Sequence, residues 1–171
     1  MNRGKLAPMN PAEQATVRRI ERALAGNPAH RKLDERVFVV KQGSTFVMLN
    51  VVPMEGDRAQ VRCIAQLVKG VAMSPELALH LLKTNAQLRF GAFAYAERAS
   101  LVLITHSLLG GNTLDPEELL ATVADLALLA DQYDDEIIAK HGGQRMSDLL
   151  EASQLGKLFG GGADKDAFRQ G

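Results

Sequence analysis

The chain has one cysteine, no tryptophan, and only six phenylalanines and two tyrosines in 171 residues. With Cys63 alone, no disulfide can form within the chain, and a reducing, cytoplasmic setting is expected. No basic segment followed by an apolar run opens the sequence, so a secretory signal is not expected. No stretch approaches the roughly 20 consecutive apolar residues that cross a bilayer, so no membrane partner is expected. Net charge is absent as well: 20 basic and 20 acidic residues cancel, leaving no global field to draw the chain to nucleic acid. Arg18, Arg19, Arg22 and the run His30-Arg31-Lys32 form a local basic cluster, but no aromatic interleaves with it as a stacking platform requires. The cluster reads as the solvent side of a first helix.

Catalytic and ligand-binding patterns are equally scarce. The four histidines, at positions 30, 80, 106 and 141, include no pair at metal-ligand spacing, and Cys63 has no companion ligand. Its place between Val61 and Ala65 on an apolar strand face makes it a small hydrophobe. No Gly-x-Ser-x-Gly elbow, phosphate loop or Gly-x-Gly-x-x-Gly turn occurs, and Gly160-Gly161-Gly162 reads as a linker. Asp131, Asp134, Asp135 and Glu136 could be imagined around a cation, but one straight helix cannot supply the six to eight oxygens calcium usually takes. The cluster reads as a solvated face or a docking site for the basic half of the chain. We therefore expect no enzyme activity, no metal and no cofactor.

What is present organises as one domain with a tail: a fraying segment 1–9, a domain over 10–146, and an amphipathic, Gly-rich tail over 147–171 whose last nine residues read as disordered. Charge is segregated, with twelve Lys and Arg against six acids in residues 1–69 and the opposite excess beyond. Asn10-Pro11-Ala12-Glu13 is a capping box with proline at the first helical position, and Val17, Ile20 and Leu24 follow as an apolar stripe. Three strands come next, and their turns fix their faces. A two-residue loop at Gly43-Ser44 sets Gln42 against Thr45, Val40 against Val47 and Phe38 against Leu49. A turn at Glu55-Gly56-Asp57, with Met54 against Arg58, sets Val51 against Val61, Leu49 against Cys63 and Val47 against Ala65. That uniformly apolar face is assigned to the core. The opposite face then carries Val37, Val39, Phe46, Met48 and Ile64, a patch that either marks an interface or is covered by a helix or the tail.

Ser74-Pro75-Glu76 starts a second helix with Leu77, Leu81 and Leu82 available for burial, and Asn85 closes it. A second hairpin turns near Arg98-Ala99 between strands at about Arg89–Ala96 and Leu101–His106. One of its faces offers alanines with Leu101 and Leu103, the other Phe93, Tyr95, Val102 and Ile104, and periodicity does not choose between them. A third helix is capped by Asp115 and stopped by His141-Gly142-Gly143. Its stripe Leu119, Val123, Leu126, Ala130, Tyr133 and Ile137 is joined by Leu120, Leu128, Leu129 and Ile138, and such a wide apolar surface calls for a second partner, such as a twin subunit. Beyond Ser147, Leu149, Leu150, Leu155, Leu158 and Phe159 form a short amphipathic stretch that either docks on its own domain or plugs a groove.

The residues Leu81-Leu82-Lys83-Thr84-Asn85, Phe90-Gly91-Ala92-Phe93-Ala94, Leu101-Val102-Leu103 and Ala130-Asp131-Gln132-Tyr133-Asp134 carry a resemblance, over about Arg36 to His141, to the bacterial YbjN family. These proteins are called putative sensory transduction regulators, and their fold is similar to that of the type III secretion chaperones of the Tir-chaperone kind. The resemblance implies an α+β fold, an antiparallel sheet flanked by helices in the order α-β-β-β-α-β-β-α, often dimeric and without catalysis. Secretion chaperones hold an extended client segment along apolar patches, so the leading expectation is a protein- or peptide-binding scaffold. Val37, Val39, Phe46, Met48, Ile64, Leu128 and Leu129 are its candidate interface, with strand addition at a sheet edge a further means of grip. The competing expectations are a regulatory subunit that docks through its charged poles, and an enzyme whose site would join His106, Asp131 and Asp134.

Overall fold

The computed structural model describes residues 7–160. Of the expectations for the ends, fraying over 1–6, a linker across Gly161 and Gly162 and disorder in the last nine residues lie outside the described residues, whereas at 7–9, also expected to fray, Met9 packs against the core and the Ala7 carbonyl accepts from Arg36 Nη2 at 2.8 Å. Helix α1 (Pro11–Ala23) begins as its sequence dictates. The Asn10 side chain accepts the Glu13 amide at 2.8 Å, and the Glu13 carboxylate accepts the Asn10 amide at 2.8 Å. Ser74 caps α2 (Pro75–Asn85) and Asp115 caps α3 (Pro116–His141), each with proline in the first turn.

All strands pair antiparallel in a single sheet, ordered β1 (His30–Lys32), β2 (Val37–Gln42), β3 (Thr45–Met54), β4 (Arg58–Lys69), β6 (Leu101–Leu109), β5 (Ala92–Ala96). The registers deduced from the two turns hold. Gln42 faces Thr45, Phe38 faces Leu49, Met54 faces Arg58 and Leu49 faces Cys63. Strand β1 precedes the three expected strands, and short helical turns flank β6 at Glu97–Ala99 and Gly111–Thr113.

The core face is the one the sequence assigned. Phe38, Val40, Val47, Leu49, Val51, Val61, Cys63 and Ala65 are buried on it beneath α1 and α3, while α2 packs at β5. A register slip between Gln66 and Val68 turns Val68 inward as well, opposite Val102. Pairing with β4 settles the second hairpin: Ile104 lies opposite Ala65 and Phe93 opposite Ile104, so Phe93, Val102 and Ile104 face the core, and Tyr95 packs beside them with its hydroxyl donating to the Val71 carbonyl at 2.9 Å. Leu82 departs from expectation. Leu77 and Leu81 are buried, whereas Leu82 is 67% exposed, and Thr84 takes the remaining inward position.

Past α3 the chain crosses to the other side of the sheet. Gly143 takes a φ of +100°, and a Cβ there would lie 2.6 Å from Val68 Cγ1 and 2.9 Å from the Lys69 carbonyl, so only glycine lets the backbone pass this close to β4. Strand β7 (Gln144–Arg145) pairs with β4 at Val68 and Lys69, just past the stretch of β4 that β3 occupies. Helix α4 (Met146–Glu151) then lies against β3 and β4, and α5 (Gln154–Gly160) reaches β1.

Candidate functional site on the outer face of the sheet

The face opposite the core is built by strand alternation. One row of register partners runs Arg31, Val39, Met48, Ile64, Thr105, Ala92 across β1, β2, β3, β4, β6 and β5. The neighbouring row sets Lys41 against Phe46. Apolar residues thus occupy both faces of β2 and β3, and a surface of this kind needs a cover.

The cover is the C-terminal segment. The Phe159 ring meets Phe46 edge to face, with centroids 5.6 Å apart, and the Arg31 guanidinium stands 4.9 Å above the same Phe159 ring. Arg31 Nε donates to the Leu158 carbonyl at 2.9 Å, a cation placed at the end of α5 where the helix dipole favours it. Lys41 pairs with Glu151 at the end of α4. Beneath this layer Val39 is 0% and Phe46 2% exposed, while Val37, Met48 and Ile64 are half-buried. Burying Phe46 stabilises the arrangement by about 1.5–3 kcal/mol, and the edge-to-face contact contributes about 0.5–1.5 kcal/mol more.

Of the two expectations for the outer face, cover by the tail is the one seen, because the tail of the same chain sits on it. The seven candidate residues lie on two surfaces. Leu128 and Leu129 are on α3, in the layer on the other side of the sheet, where Leu128 is 65% exposed and Leu129 packs against the core. Arg31 was absent from the expected interface although it anchors the cover. In the sequence it belongs to a polar run with no alternation, and only the register of β1 puts it on this face.

The remaining polar groups do not converge. Asp131 accepts from Ser44 Oγ at 2.9 Å, Asp134 and Asp135 both pair with Arg145, and Glu136 pairs with Lys140, with His80 Nε2 3.6 Å away. Burial pushes the Asp134 carboxyl above its ordinary value and Arg145 opposes the shift. His106 accepts the Gly91 amide at 3.0 Å, apart from these acids. Burial also pushes the Cys63 thiol up to about 12, which removes it as a nucleophile at neutral pH. Among the described residues, no group of three or more His, Cys, Asp or Glu could hold a metal ion. No described helix is long and apolar enough to cross a membrane.

The chain is an antiparallel sheet with α1, α2 and α3 on one face and a second apolar face covered by α4 and α5. Solved structures share this fold, among them the following two. A chain from the crystal structure of the ExsC-ExsE complex superposes with a TM-score of 0.53 at 20% identity, over 70% of this chain and 93% of that one. A chain from the structure of the HopA1-SchA chaperone-effector complex does so with a TM-score of 0.51 at 13% identity, over 71% and 91%. The chain belongs to the TY-Chap1 family, the type III secretion (YopN, CesT) and YbjN peptide-binding chaperones, whose family model matches residues 12–149. It is thus a peptide-binding scaffold of the chaperone kind. No curated protein matches the chain.

Proposed function

We propose that the protein holds an apolar segment of a client polypeptide against the outer face of the sheet, around Val39, Phe46, Met48 and Ile64, and does so without chemistry of its own. The observation that carries this reading is that the face already receives a peptide segment, with Phe159 packed on Phe46 and Arg31 bonded to a main-chain carbonyl. An apolar floor with a main-chain-directed cation at its rim accepts apolar segments that bring an aromatic ring to Phe46 and Arg31, and asks little of their other side chains. The same reading sets the protein to work in the cytoplasm and pairs two copies through α3, where Leu120 and Leu128 are 42% and 65% exposed.

The test is selection of peptides from a random displayed library on the full chain, followed by titration of a selected peptide against Met48→Asp. Met48 is half-buried and opposes Ile64, so a carboxylate there places charge in the floor while leaving the core face intact. Loss of about 1.5–3 kcal/mol of apolar contact weakens binding at least about tenfold. Unchanged affinity in a folded Met48→Asp variant would remove the outer face from consideration.

A further inference from the structure

We infer that α5 is a built-in stand-in for the client: it closes the outer face in the free protein, and a client enters by replacing it. The inference rests on the client site proposed above and adds what the client segment looks like and how access is controlled. Three independent features carry it.

The seat for α5 exists without α5. Arg31 Nη1 donates to the Pro28 carbonyl at 2.8 Å and to the His30 carbonyl at 2.7 Å, so the backbone around β1 holds the guanidinium whether or not its Nε reaches Leu158. Phe46 is fixed by its register in β3. The occupant, by contrast, is lightly held. α5 has seven residues, none of them buried, and Leu158 is 50% exposed. A helix that short does not persist by itself. Finally, the family match ends at residue 149, so the floor lies within the matched domain whereas α5 lies beyond it.

The chemistry of the occupant describes the client. α5 presents Leu155, Leu158 and Phe159 at spacings of three and four, the pattern of an amphipathic helix laid on an apolar surface. The matching client is a short amphipathic helix with an aromatic residue beside a leucine at its C-terminal end, where its last carbonyls meet Arg31. Detachment has a built-in position too. A Cβ at Gly156 would run into the Glu151 carbonyl, so α5 folds back on α4 only with glycine there.

This gives a way to open the face without touching it. The probe is a fluorescent synthetic peptide of residues 153–160, titrated against the full-length wild type, Gly156→Ala, and Gly156→Ala combined with Phe46→Asp. We expect Gly156→Ala to bind the peptide at least about tenfold more tightly than wild type, because the competent fraction rises toward one. The added Phe46→Asp substitution should abolish that binding. Low reactivity of the buried Cys63 thiol reports that each variant is folded, and Phe159→Asp serves as a second opened variant should Gly156→Ala unfold. Equal binding to wild type and both opened variants overturns the inference. A library-selected peptide that binds wild type as tightly as Gly156→Ala overturns it as well while leaving the client site standing. If the 153–160 peptide binds the opened face and no foreign peptide does, α5 is confirmed as the cover and the client reading fails.

Discussion

Replacing Glu13 by glutamine isolates the ion pair buried between α1 and the bend that leads into β2. The Glu13 side chain is 2% and the Arg36 side chain 11% exposed, and Arg36 Nε lies 2.7 Å from Glu13 Oε1. The other carboxylate oxygen accepts the Asn10 amide, and Arg36 Nη2 donates to the Ala7 carbonyl at 2.8 Å. Glutamine keeps the capping box, since its oxygen can still accept from Asn10, but it turns an amide NH₂ toward the guanidinium. A buried cation without a counter-charge costs about 3–5 kcal/mol. Because a domain's whole stability is typically about 5–15 kcal/mol, urea unfolding followed by circular dichroism should move its midpoint down by about 2 M at an m-value of about 2 kcal/mol/M. Adding Arg36→Met removes the stranded charge and should recover most of the loss. The pH dependence gives a second signature. Burial pushes the Glu13 carboxyl up, but the Arg36 bond and the Asn10 amide outweigh it and hold the group below its ordinary 4.5. Its stabilising contribution is therefore full above about pH 4.5 and is lost as pH falls through the lower folded-state value. Glu13→Gln should lack that part of the acid limb. A Glu13→Gln protein within about 0.5 kcal/mol of wild type at pH 7, or one with the same acid limb, refutes the reasoning.

Cys63 should react with iodoacetamide at pH 8 at least about 10³-fold more slowly than a free thiol, because a pKa of about 12 leaves so little thiolate, and unfolding in guanidinium should abolish the difference. Fast labelling of the native protein would contradict the pairing of Leu49 with Cys63 on the core face. For the pairing of copies through α3, Leu128→Asp should convert a dimer to monomer in sedimentation velocity; a dimer that persists excludes that surface.

Much of this arrangement was legible because tight turns convert spacing into register. Once Gly43-Ser44 is a two-residue loop and Glu55-Gly56-Asp57 sets Met54 against Arg58, the faces of the strand residues from Phe38 to Ala65 follow, and with them the second apolar face. The second hairpin offered no such lever. Its inward face is decided by the register of β6 on β4, Leu108 against Val61 and Ile104 against Ala65, a long-range pairing that no local pattern announces. Strand β1 was hidden because His30-Arg31-Lys32 has no alternation, and its pairing depends on β2 being there to receive it. The apolar tail positions were readable, but their seat was not. Phe159 meets Phe46 across more than a hundred residues of sequence, and only the path through Gly143 brings the tail to that side.

That path has a consequence for which clients are admitted. Since β7 is hydrogen-bonded to β4 and Met146 and Ser147 are buried, α4 stays fixed and any release of the cover begins after it, near Ala152 and Ser153. The cover is then a ligand on a very short leash, present at its own seat at an effective concentration of order millimolar. A free segment at micromolar concentration competes only if its intrinsic grip is about 10³-fold stronger, or if it holds the protein at a second place at the same time. The tether thus acts as an affinity threshold: it discards the many weak apolar segments any unfolded chain exposes and passes only those that bind with several contacts together.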